Sequence, residues 1–176
     1  MKKLTLILTL LLVMAFSFSA MAEATTTELV APENCPFEGA WLSIHENFNM
    51  YTPADWSILE VSEEKVNAGI IASFASPDAT QTLDIAWQEL SEDYTIEQIA
   101  KELTADTTNE EVESVDINGI TFVSYERSAQ NLFGAVFMDA NYYGMYNMIF
   151  TPLSDEATQQ SAVAMLTSIQ FLTPAE

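Results

Sequence analysis

Val112-Glu113-Ser114-Val115-Asp116-Ile117-Asn118-Gly119-Ile120-Thr121-Phe122-Val123-Ser124-Tyr125-Glu126 is the stretch that decides the fold. Two β-prone runs with apolar residues at alternating positions flank Asn118-Gly119. A two-residue hairpin needs positive φ at both central positions, and Asn and Gly tolerate that best. The stretch therefore predicts paired antiparallel strands over Val112–Ile117 and Ile120–Ser128. Gln130-Asn131 predicts a second tight turn, into Leu132–Asp139, and Asn141 to Gly144 a third, into Met145–Phe150. The result is a meander of about four strands.

Upstream, Phe37–Ile44 begins the folded part and Phe48–Tyr51 is a short extended piece. Pro53 and the turn Ala54-Asp55 lead into Trp56–Val61, where Trp56, Ile58 and Glu60 share one face at strand period. Ser62–Asn67 is polar and turn-like. Ala68–Ala75 and Thr82–Leu90 read as neighbouring strands separated by Ser76-Pro77-Asp78, with Leu83, Ile85 and Trp87 pointing one way. Thr95 and Gln98 form a capping box, flanked by Tyr94 and Ile99 in staple positions. Ile96, Ile99, Ala100 and Leu103 then give one apolar helical stripe, ending near Thr104. Asp106 to Glu113 reads as an acidic loop. Pro152 stops the meander, and Ser154 is read as the cap of a final helix with Asp155 and Glu156 in its first turn. Val163, Leu166 and Ile169 are its apolar stripe. Strands, helix, strand meander, helix is the order of an α+β fold, an antiparallel sheet flanked by helices.

The first 22 residues read as a secretory signal peptide: Lys2 and Lys3, an apolar run Leu4–Phe18, then Ala20-Met21-Ala22. Cleavage after Ala22 is the expectation, giving a secreted or periplasmic chain. Residues 23–36 read as a polar N-terminal arm and 37–176 as one α+β domain. Beyond Ala22 only Lys65, Lys101 and Arg127 oppose 26 acids, so the mature net charge is 3 − 26 = −23. Such a chain repels phosphate backbones, which argues against a nucleic-acid partner. No second apolar run is long enough to span a membrane. Cys35 is the single cysteine, so no internal disulfide can staple the fold.

Chemistry-bearing patterns are sparse. His45 is the single histidine, and no nucleophile elbow or oxyanion loop accompanies it or Cys35. One His and one Cys do not furnish a structural zinc site. Asp139-x-Asn141-x-Tyr143-Gly144 matches the opening of a calcium loop, but the position of its closing glutamate holds Phe150, so it reads as a β-turn with a permissive Gly144. Asp106, Glu110, Glu111, Glu113 and Asp116 form the densest acidic run, suited at most to weak divalent-cation binding and more simply read as a solvated strand edge. No catalytic residue, cofactor site or metal site is assigned. Tyr142, Tyr143, Tyr146, Trp41 and Trp56 are the candidate partner-binding residues, because Tyr and Trp are enriched at binding hot spots.

The segment Phe48-Asn49-Met50-Tyr51-Thr52-Pro53-Ala54-Asp55-Trp56 resembles the opening of Mog1/PsbP-like domains: an aromatic strand, a Pro, then a Trp. The middle helix, the Asn118-Gly119 hairpin, the aromatic strand Tyr142–Phe150 and a closing helix leading to Ser168-Ile169-Gln170-Phe171 extend it over Trp41 to Phe171. The exported bacterial DcrB-like group, a family of unknown function, is nearest in kind. The resemblance implies an α/β/α sandwich and a non-enzymatic role, binding another protein or supporting a larger assembly. It carries over no functional residue. The expected function is a protein-interaction module of the cell envelope or extracellular space, with a sheet edge or the aromatic patch as the contact. The alternatives are a small-ligand or divalent-cation binding protein and a hydrolase with an unidentified carboxylate pair.

Overall fold

The computed structural model describes residues 29–91, 94–140 and 143–172. The signal-peptide reading, the start of the arm, and Asn141 and Tyr142 lie outside the described residues. Seven strands form one antiparallel sheet in the order β3-β4-β5-β9-β8-β7-β6, and three form a second in the order β1-β2-β10. The strands are β1 (Gly39–Ile44), β2 (Phe48–Pro53), β3 (Ser57–Leu59), β4 (Ile70–Ala75), β5 (Thr82–Glu89), β6 (Glu110–Ile117), β7 (Ile120–Arg127), β8 (Leu132–Met138), β9 (Gly144–Thr151) and β10 (Gln170–Phe171). Among the described residues three α-helices accompany them: α1 (Glu63–Asn67), α2 (Ile96–Ala105) and α3 (Glu156–Thr167). This is the expected α+β architecture.

The hairpin at the centre of the sequence forms as read. Asn118 and Gly119 take φ of 52° and 82°, and Ile117 pairs with Ile120. β6 to β9 then run as the four-strand meander. β5 is followed by α2, which carries the chain to the far edge at β6. The meander walks back until β9 lies beside β5, Leu83 opposite Phe150 and Ile85 opposite Met148.

Side chains of successive strand residues alternate between the two faces. Leu83, Ile85, Phe133, Phe137, Tyr146, Met148 and Phe150 therefore share one face and pack on Phe48 and Met50 of β2 and on Val163, Met165 and Leu166 of α3. Tyr125, Val136 and Met138 take the opposite face, under Ile99 of α2. α1 lies on this second face too, because Lys65 reaches Asp84, which alternates with Leu83 and Ile85. The two longer helices, α2 and α3, are held at their starts. Thr95 and Gln98 complete the capping box in both directions. The last helix is capped one residue later than the sequence suggests: Asp155, not Ser154, accepts from Thr158 N at 2.8 Å. The Thr158 hydroxyl donates to the same carboxylate, which holds that carboxyl below its ordinary range.

Three further expectations change. Ser62–Asn67 is not a turn; residues 63–67 make the short helix α1, started by Ser62 accepting from Lys65 N. The strand expected over Trp56–Val61 shrinks to Ser57–Leu59, and Ile58 does not join Trp56 in the core. Ile169 is buried as expected, but beyond the end of α3, on the way into β10.

Candidate functional site

β3 and β6 are the two edges of the large sheet, and they are built differently. β6 carries Glu110, Glu111, Glu113 and Asp116, and its register with β7 shifts between Glu110 and Glu113, with Glu111 at φ 48°. Charge and a bulge are two of the devices that keep an edge from pairing further. β3 has neither. It is the three residues Ser57-Ile58-Leu59, all exposed, pairing only with Ala75, Phe74 and Ser73 of β4. Ile58 is 71% exposed and Leu59 41%. Val66 of α1, 56% exposed, and Ile71, at the register shift of β4, stand on the neighbouring elements. Isolated surface apolar residues need no explanation, but two consecutive ones on a bare sheet edge, Ile58 and Leu59, do.

Local interactions fix this corner. Trp56 N donates to Pro53 O, closing the turn that enters β3, and the half-buried indole packs against the main core. At the far end Lys65 Nζ donates to both carboxylate oxygens of Asp84, at 2.7 and 2.8 Å, and Ser73 Oγ donates to Asp84 Oδ1. The ion pair ties α1 to β4 and β5.

The four described aromatic candidates do not share one exposed surface. Tyr142 lies outside the described residues. Tyr143 is exposed, its N–H donating to Asp139 Oδ1 and its C=O accepting from Leu90 N. Tyr146 is buried at 1% exposure, so it offers no surface to a partner; burial and the Asp139 charge push its hydroxyl up to about 12. Trp41 packs edge-on to Tyr51 at 5.4 Å. Trp56 sits at the opening of β3. The parity of Tyr146 with Met148 and Phe150 was the sequence signal that it faces inward.

His45 stands in the β1–β2 turn at φ 51°, its Nδ1 3.3 Å from the Tyr146 hydroxyl. Cys35 is half-buried and shares a cleft of about 180 Å³ with Gln160, Val163 and Thr167, so the described end of the arm lies along α3. Gly144 is a strand residue, not a left-handed turn residue; a Cβ there would come within 2.6 Å of the Trp87 indole nitrogen. Among the described residues, no group of three or more His, Cys, Asp or Glu side chains is placed to hold a metal ion. Among them, too, no helix is long and apolar enough to cross a membrane. A cavity of about 670 Å³ opens between the start of α2 and the end of β8, walled by Ile96, Ile120, Met138, Asp139 and Phe171.

No protein-family model matches the chain, and no curated protein matches it.

One acidic residue lies where charge is unfavourable. Glu126, 7% exposed, stands directly opposite Glu110 in the β6–β7 ladder. Burial raises its carboxyl above the ordinary range, and Glu111, Glu110 and Glu113 raise it further. The folded state therefore holds this proton more tightly than the unfolded chain, and stability falls as pH rises through the raised value. Glu126→Gln removes that penalty. The variant is expected to melt at a higher temperature than the parent at pH 7 and at the same temperature below the ordinary carboxylate range; parallel calorimetric scans at the two pH values check both.

Proposed function

We propose that the chain is an exported, non-enzymatic, Mog1/PsbP-like domain that docks a protein partner in the cell envelope or outside it, through the β3 edge of its large sheet. The exposed apolar pair at that edge, Ile58 and Leu59 on β3, carries the reading. The opposite edge is acidic and bulged, so the difference between the two edges is the feature a partner would read. The signal-like N-terminal segment and the strongly acidic composition fit work outside the cytosol. The sheet edge is preferred to the aromatic patch, because Tyr146 is inside and half-buried Trp41 packs edge-on to Tyr51. A second reading, binding of a small ligand, is favoured by the cavity of about 670 Å³ beside α2.

The test is a photo-crosslinking side chain at position 58, with one at the exposed position 97 of α2 as control, in protein exported by its source cell. A discrete adduct from position 58 that is absent from position 97 is the expected result. No adduct from position 58 sinks the docking reading and moves attention to the cavity.

A further inference from the structure

We propose that β3 is extended in the working protein by strand addition: another protein lays an extended segment along it, apolar at its centre and carrying Lys or Arg at both ends. This rests on the docking reading above and adds the geometry and chemistry of the partner. Among the described residues β3 is hydrogen-bonded on one side only, to β4, so alternate N–H and C=O groups of its backbone face outward with no described strand beside them. Added strands use such groups for affinity and alternate side chains for specificity. Ile58 and Leu59 project to opposite faces of that ladder, so an arriving strand meets an apolar side chain on each.

Charge decides the occupant. Exposed Asp55 precedes the strand; exposed Glu60 follows it, and exposed Glu63 and Glu64 open α1 just beyond. Lys65, in the same helix, has its charge engaged by Asp84. The apolar centre is thus bracketed by carboxylates at both ends. A second copy of the chain does not suit this edge. Antiparallel pairing of two β3 strands would bring Asp55 of each copy toward Glu60 of the other, between strongly acidic chains. A strand with cationic ends reverses both contacts. A ladder as short as β3 supplies few hydrogen bonds, so the flanking charges are what would steer and register the partner.

The experiment measures fluorescence anisotropy of three labelled peptides on the purified protein. The first has an alternating valine–threonine core and lysines at both ends. The second has the same core with glutamates at the ends. The third keeps the lysines but is N-methylated along one edge of its backbone. The lysine-ended peptide is expected to bind one to one. The glutamate-ended and N-methylated peptides are expected to bind at least about tenfold more weakly. Ile58→Lys, at a site too exposed to threaten folding, is expected to weaken the first peptide by at least about tenfold, and Leu59→Lys is the second variant.

Failure to bind the lysine-ended peptide overturns the inference. So does equal binding of the N-methylated peptide, or binding unaffected by both variants, since either means diffuse attraction to an acidic surface. Equal binding of the glutamate-ended peptide removes the charge rule. If any of these occurs while the position-58 crosslink persists, the docking reading stands and strand addition by a basic segment is wrong; if the crosslink is absent too, both fall.

Discussion

Phe137→Ala is expected to lower the unfolding free energy by about 3–5 kcal/mol, the range for deleting a fully buried aromatic ring. Phe137 has no exposed surface. Its ring stacks on Tyr146 at 5.4 Å, meets Phe48 at 5.4 Å and Phe122 at 5.1 Å, and approaches Phe171 at 6.1 Å. Those neighbours come from β9, β2, β7 and β10, so one ring joins the large sheet to the small one. A cavity there closes only if the two sheets move together, which each sheet's own ladder resists. The single cysteine leaves the chain no internal disulfide to compensate. The measurement is a urea titration, in which the midpoint should fall with an unchanged slope. Loss of less than about 1 kcal/mol would mean that the core collapses easily and that the small sheet is held by other contacts. Truncating Ile58 to Ala is the control: at a side chain so exposed, the change should stay within about 0.5 kcal/mol.

How much of this was legible in the sequence depends on how local the cause is. Asn118-Gly119 and the pair Thr95/Gln98 act within a few residues of themselves, and both formed as read. Ser154 and Asp155 are both good caps; the side chains of Thr158 and Gln81, which donate to Asp155, settle the choice, and Gln81 lies on a distant part of the chain. α1 has five residues and no buried face, so no apolar stripe announced it. The return of β9 to the side of β5 has no local signature, because pairing residues so far apart in sequence depends on the meander's length and on α2 crossing the sheet first.

The candidate site was legible only in outline. A sheet edge was one of the two expected contacts, but nothing in Trp56–Val61 said that its strand would be that edge. Alternation of Trp56 and Ile58 argued for burial, and burial fails for Ile58 because, among the described residues, β3 ends the sheet and no element covers its side chain. Residue type singles out the aromatic candidates, but residue type alone does not set direction. Parity along β9 does: Tyr146, Met148 and Phe150 alternate with half-buried Met145, Asn147 and Ile149.

Gly134→Ala is expected to cost about 2–4 kcal/mol, an overpacking term plus a lost hydrogen bond. Gly134 lies in β8 directly opposite Tyr125, and the Tyr125 ring occupies the space a Cβ would need. The backbone is not the obstacle, since Gly134 is an ordinary strand residue and alanine suits a strand at least as well as glycine. The whole cost must come from moving the tyrosine, which is held from three sides. Asn147 Nδ2 donates to its hydroxyl at 2.9 Å, the Arg127 guanidinium lies over the ring at 5.4 Å, and Ile99 of α2 packs in the same cluster. Arg127 in turn donates from Nε to Asn109 and pairs with Asp106, so a displaced ring also disturbs the connection from α2 to β6. A double-mutant cycle separates this cause from a general effect of added volume. With Tyr125→Ala in place the added methyl has nothing to strike, and Gly134→Ala should become neutral to within about 0.5 kcal/mol. Simple additivity of the two costs would show that the ring is not what the glycine accommodates. β3 is at the far side of the sheet from this contact, so position 58 should crosslink its partner as well in folded Gly134→Ala as in the parent. A matching loss of adduct and stability would tie docking to global folding, whereas independence would place the docking surface in β3 itself.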